Sequence, residues 1–477
     1  MNPVILNKIT PRSLVGPIAS SLLALGLTGC ATSSVFTPYP DQMKITKQQL
    51  ANGQYQEAQK ALAEYRDSAD KILYLMERGR VNQIANNPAE SITDFTAVID
   101  GFKANEERAQ ITASGTSSKI GAVALNDNVI PYEGEPYERV FVYQFQALNF
   151  LFQNKIDSAI VEVRRANLEQ VAALKAYEDE VDEALQNDEE RQAQSALESN
   201  SAYNNTLAGL SQLAGKVKYS FQNAYTFYVS GLIYEAQGEA NDAYIDYKKA
   251  LEIYPDNPYL LAAVTRLAKQ LAMTEDYQSL QSRTNPQLAK PLRQGEGKLV
   301  ILYEAGYVPA KSEVNLLLDI WGAPNNLVFP IYKESPRSTA PLAVSVAGRA
   351  VGATEVIIDT QALAARALEE KLPAILTRQA IRAIARERTK RQTQGNLIGT
   401  LASLTQLVLN RADLRSWSTL PASAQIMSSN IAAGDHTLTL DNSHNSATTP
   451  VKIAAGKTTV VRVISVDGQM HINSTII

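Results

Sequence analysis

The stretch "AAGKTTVV", Ala454 to Val461, holds the residue types that wrap a phosphate. A phosphate loop needs a glycine five residues before Gly456, so that main-chain N–H groups can turn about the anion, and that position is Val451. The loop must also open a helix, whereas Val460 to Val466 alternates as a strand. Gly456 and Lys457 therefore read as a tight turn between strands. The three histidines, His436, His444 and His471, lack the close helical spacing of zinc ligands. Serine triads assemble in space, but no Gly-x-Ser-x-Gly elbow nominates a serine. The acidic run Glu178 to Glu190 reads as a solvated helix face. No catalytic residue, metal ligand or cofactor is expected.

Cys30 is the one thiol of the 477 residues. Lys8 and Arg12 precede it, then an uncharged, mostly apolar stretch from Leu14 to Leu27, of export-signal length and too short to span a bilayer comfortably. Thr28 and Gly29 are small and leave the main chain open to a peptidase. Leu27-Thr28-Gly29-Cys30 resembles the lipobox of bacterial lipoproteins. That resemblance implies removal of a signal peptide (1–29), acylation of Cys30, and a Thr-, Ser- and Pro-rich tether (30–40). By the same resemblance, Ala31 after the cysteine, in place of the aspartate that retains many such lipoproteins at the inner membrane, implies the outer membrane, with the body in the periplasm. Buried acyl chains contribute about 0.8 kcal/mol per CH₂, so several make a permanent anchor. A lone cysteine forms no intrachain disulfide, so stability must come from burial. The 448 residues from Cys30 onward carry a formal charge of −6, which argues against nucleic acid as a partner.

The elements divide the rest into two parts, an α+β chain with a helical domain (41–290) followed by a β-rich domain (297–477). Thr226 to Pro258 reads as two helices with a turn at Gln237-Gly238-Glu239. Gly231, Ala243, Tyr247, Ala250 and Pro255 follow the spacing of a tetratricopeptide repeat, which this stretch resembles. Small residues fall where paired helices come closest, and Phe227, Tyr234 and Tyr247 fill the space between them. Weaker copies pass through Gly53, Tyr55, Ala58 and Leu62, through Gly79, Ser91, Phe95 and Val98, and through Tyr143, Ala147, Ala159, Val163 and Ala166. Helices are also expected at Asn167 to Gln194 and Tyr203 to Val217, and a long loop at Ala113 to Pro136.

In the second part, "KLVILYEAG", "SEVNLLLDIWG", "TEVIID", "HTLTLDN", "TTVVRVISV" and "QMHINSTI" read as strands. Between them, 360–410 reads as a helical hairpin, with arms Thr360 to Gln392 and Asn396 to Asn410. A β-sandwich-like domain carrying that hairpin is the simplest account. The basic helix end, Arg382 to Arg391, is a solvated terminus complementing the helix dipole, or a contact for anionic headgroups.

Longer stretches, "PYEGEPYERVFVYQFQALNFL", "VEVRRAN", "LYEAGYVPAKSEV" and "ADLRSWSTLPA", resemble an uncharacterised family of bacterial tetratricopeptide-repeat outer-membrane lipoproteins. The resemblance implies the same domain order and work in the cell envelope, including cell-wall assembly, with no catalytic residues to carry over. Repeat stacks bind through a concave surface lined by the first helix of each pair. Arg80, Gln144, Tyr228 and Glu235 fall on that surface and are the expected partner-binding residues, unless extra loops or the β domain fill the groove. The expected function is a lipid-anchored periplasmic scaffold holding a protein partner. The alternatives are a cell-wall hydrolase with its site between the two parts, or a glycan or lipid carrier using the inner face of the β domain.

Overall fold

The computed structural model describes residues 37–65, 68, 70–113, 131–183, 194–195, 197–320, 323–333, 339–392 and 411–477. Leu27, Thr28, Gly29 and Cys30 lie outside the described residues, as do most of the loop after Ala113 and the second arm of the 360–410 hairpin. The side chains of the acidic run and of Arg386 to Arg391 lie outside them too.

The helical part is a stack of antiparallel pairs: α1 (Tyr39–Ala51) with α2 (Tyr55–Ala63), α3 (Lys71–Ile84) with α4 (Pro88–Ala113), and α5 (Pro136–Phe152) with α6 (Ile156–Glu183). After α7 (Ser201–Ala214) come α8 (Ala224–Ala236) with α9 (Ala240–Ile253), and α10 (Pro258–Gln270) with α11 (Thr274–Gln281). All five pairs turn over one left-handed residue, in order Gly53, Asn86, Asn154, Gly238 and Ala272, with φ between 56° and 79°. Glycine and asparagine enter that region at least cost, which explains four of the five. Alanine at the fifth hides the pair α10/α11 from a search by glycine spacing.

Inside the pairs the expected small-to-aromatic contacts are present. A methyl added to Gly79 would lie 2.5 Å from the Phe95 ring, and one on Gly231 would lie 2.7 Å from the Tyr247 ring. In the third pair the corresponding Ala147 and Val163 are both fully buried. Helix starts are locally encoded. The Asn223 and Asn257 side chains accept from the first-turn N–H groups of α8 and α10. Glu135 and Glu138 form a reciprocal capping box on α5, with Pro136 in its first turn.

The remaining chain forms β1 (Glu296–Ala305), β2 (Ser312–Ile320), β3 (Ala323–Ile331), β4 (Ala343–Val346), β5 (Arg349–Ala353), β6 (Glu355–Asp359), α12 (Thr360–Gln392), β7 (Ser423–Ala432), β8 (Gly434–Asp441), β9 (Ser446–Ile453), β10 (Thr458–Val466) and β11 (Gln469–Ile476). One five-stranded sheet runs β11-β10-β1-β7-β6, a four-stranded one runs β5-β4-β8-β9, and β2 and β3 form a separate hairpin. β1 is parallel to β10 and antiparallel to β7. It is buried from Leu299 to Ala305, as a strand covered on both faces must be. Lys298 and Glu304 point to the helices, while the Tyr303 hydroxyl accepts from Asn442 at the end of β8. Gly456, at φ 71°, does form the turn from β9 to β10.

The helix stack guards the β6 edge of the five-stranded sheet. Asn257 donates to the Val356 carbonyl (3.0 Å), and the Tyr254 hydroxyl accepts from the Asp359 N–H (3.1 Å). Gln379 of α12 does the same for β3, accepting from the Val328 N–H (3.0 Å) and donating to its carbonyl (2.6 Å). One contiguous buried cluster runs from Tyr39 through the helices and on to Val466.

Candidate functional site

The inner face of the stack is the surface expected to hold a partner, and it is occupied by this chain. Residues 411–422, an irregular segment between α12 and β7, lie along it in the manner of a bound peptide. Glu77 of α3 accepts from the main-chain N–H of Ser418 (2.6 Å) and of Thr419 (3.0 Å), and from the Tyr39 hydroxyl (2.7 Å). Glu138 of α5 accepts from the Trp417 N–H (2.7 Å). The Trp417 indole is fully buried, edge-on to Phe95 (5.8 Å between centroids) and Phe145 (5.7 Å), and its Nε1 donates to Thr419 (3.1 Å). Arg415 bonds Asp70 (2.6 Å) and Asp413 (2.6 Å), while its carbonyl accepts from Lys311 (3.0 Å). Carboxylates thus read backbone N–H groups, an aromatic slot takes one indole, and an acid takes one guanidinium. Burial pushes the Glu138 carboxyl up, and neighbouring Glu135 adds to the rise.

Beside this segment the five-stranded sheet closes the groove. Glu304 of β1 is fully buried between Arg80 of α3 (2.6 Å) and Arg462 of β10 (2.8 and 3.0 Å), and also accepts from the Tyr225 hydroxyl (2.9 Å). Both guanidiniums donate to Gln83 Oε1 at 3.0 Å, and both lie over the Phe145 ring, at 4.7 and 5.3 Å. Burial alone would raise the Glu304 carboxyl; Arg462 and Arg80 outweigh it and hold it below the ordinary range. A second ionic cluster sits nearer the rim. Glu235 of α8 takes Lys298 of β1 (2.9 Å) and Arg266 of α10 (2.7 Å) and accepts from Tyr247 (3.2 Å). Against the opposing effect of burial, the two cations bring the Glu235 carboxyl down to about 2.

Arg80, Gln144, Tyr228 and Glu235 are not open to a partner in this conformation. Arg80 is taken by Glu304, Gln144 accepts from the Thr226 hydroxyl (2.5 Å), Tyr228 packs against the Tyr247 ring (5.4 Å), and Glu235 is held by Lys298 and Arg266. The sheet takes two of them, through Glu304 and Lys298 of β1, and neighbouring helices take Gln144 and Tyr228, through Thr226 of α8 and Tyr247 of α9. Trp417, Arg415, Glu77 and Glu138 were not anticipated. One signal was available for Glu304 and Arg462: each is a single charge inside a β-branched or leucine-rich run, and such a charge needs a buried partner.

The histidines are dispersed: His436 in β8, His444 in a polar turn, and His471 in β11 edge-on to the Tyr55 ring at 5.8 Å. Among the described residues no group of His, Cys, Asp and Glu could hold a metal ion, and no helix is long and apolar enough to cross a membrane. The face of β1 turned from the helices is packed, with Leu299 and Ile301 buried, as are Leu438 and Leu440 of β8.

No family model matches this chain, and no curated protein matches it. Among solved structures it is similar to a crystal structure of MamA protein, with 11% identity over 51% of this chain and 88% of that one, at a TM-score of 0.28. A second crystal structure of MamA gives 11% identity over 50% and 91%, at 0.27. The TPR2AB domain of yeast Sti1, in a complex with pHSP90, gives 9% identity over 51% and 90%, at 0.20.

Proposed function

We propose that this chain is a lipid-anchored interaction scaffold, acylated at Cys30 on the periplasmic face of the outer membrane, that holds a protein partner in cell-envelope assembly on its outward helices. The anchor rests on the lipobox resemblance of Leu27-Thr28-Gly29-Cys30. The observation that supports the surface is where unburied apolar side chains gather. The groove is filled, while Val161 (44% exposed), Leu168 (68%) and Val171 (64%) stand on α6 and Ile245 (49%) on α9, the second helices of their pairs. Grouped apolar side chains left in solvent mark interaction surfaces. A β-rich body locked into the groove would make the stack a rigid support for that face.

Photo-activatable residues at Leu168 and Ile245, and at Lys452 of β9 as an exposed control, test the surface in living cells. The expected result is a discrete adduct at positions 168 and 245 that is missing at 452. Equal labelling at all three would overturn this reading. The anchor is tested separately: Cys30→Ser should abolish palmitate incorporation and release the protein from outer-membrane fractions.

A further inference from the structure

The free end of the helix stack carries a cleft of about 510 Å³ between α1 and α2, walled by Met43, Ile45, Leu62 and the Tyr65 and Tyr74 rings. Those two rings are stacked at 4.3 Å, and Tyr39 meets Tyr74 edge-on at 5.8 Å, so an aromatic row leads into the cleft. Ile45 on its wall is 60% exposed, a large apolar side chain with no cover among the described residues. Thr37, the first described residue, forms part of the rim. Gln42 pins it there, donating to the Thr37 carbonyl (2.7 Å) while accepting from the Tyr74 hydroxyl. The chain therefore enters the described structure at the mouth of the cleft. Between Cys30 and Thr37 the sequence is Cys-Ala-Thr-Ser-Ser-Val-Phe, and the only large apolar residues, Val35 and Phe36, are the two next to the rim.

We propose that Val35 and Phe36 fill this cleft, so that the start of the chain caps the open end of its own helix stack. The volume is of small-ligand size, suited to a few side chains rather than a folded partner. Terminal repeats need such a cap because no neighbour covers their apolar face. The corollary rests on acylation at Cys30: with Val35 and Phe36 docked, only Cys30 to Ser34 span to the lipid, at most about 17 Å of chain. The first helix pair is then held close to the bilayer.

The test uses the chain from residue 30 with Cys30→Ser, which carries no other thiol and no acyl group, so its outcome is independent of the anchor. Into it go Phe36→Cys with Ala61→Cys, and as control Ser33→Cys with Ala61→Cys. Mild oxidation should close the 36–61 pair nearly completely within one chain and the 33–61 pair several-fold less. Equal closure, no closure at 36–61, or disulfide-linked dimers through position 61 would overturn the proposal; dimers would make a second copy the occupant. As a check free of new thiols, Phe36→Ala should speed hydrogen exchange at residues 43–46 at least tenfold, and unchanged exchange would overturn it equally.

Discussion

Glu304 is one carboxylate serving two guanidiniums in a place without solvent, and its removal has an asymmetric cost. Glu304→Ala leaves Arg80 and Arg462 buried side by side over the Phe145 ring with their shared anion gone. Stripping a partner from a buried ionic group costs about 3–5 kcal/mol, and urea unfolding should show a loss of that order. Glu235 offers a test with a pH signature. Its folded carboxyl is depressed to about 2 from an ordinary 4.5, so its contribution is fully present above pH 4.5 and is lost as the pH falls through the folded value. Glu235→Gln should cost up to about 3 kcal/mol near pH 7, and the gap to the native chain should narrow between pH 4.5 and 2. Urea midpoints at pH 7, 4 and 3 check it, and a gap that stayed constant with pH would contradict the assignment.

At the level of elements, the segment around Trp417 joins parts that lie far apart in sequence. Trp417→Ala empties a slot between Phe95 and Phe145, and such a truncation costs about 3–5 kcal/mol, readable as a lowered Tm. Most elements were legible beforehand because their signals are local. Repeat spacing placed α8 and α9, and the boundaries of α12 followed from its apolar periodicity. β7 escaped notice although it is central, because "SAQIMSSNIA" is rich in serine and lacks a clear β-branched run. The seat of Trp417 was illegible for another reason: nothing near residue 417 records that its main chain will meet carboxylates at positions 77 and 138. The quoted stretches around Glu138, Glu304, Lys311 and Trp417 do converge on the groove, so the information was present as separate pieces whose meeting point only the fold supplies.

For the molecule as a whole, a shared core implies a shared transition. The helices and the five-stranded sheet bury one another's charged and aromatic residues, so far-ultraviolet circular dichroism and tryptophan fluorescence should report one coincident unfolding midpoint. Two separated midpoints would mean that the ionic contacts across the groove contribute little. The pairing of β1 with β10 has a consequence for how the chain is completed. A polypeptide delivered from its amino end has the walls of the groove long before it has the strand that seals them. Until residues 458–466 arrive, Glu304 and Gln83 wait without Arg462, and β1 lacks its parallel neighbour. A stop codon that removes residues 458–466 should therefore be as damaging as one near the middle of the gene, and cells would clear such a product rather than use it.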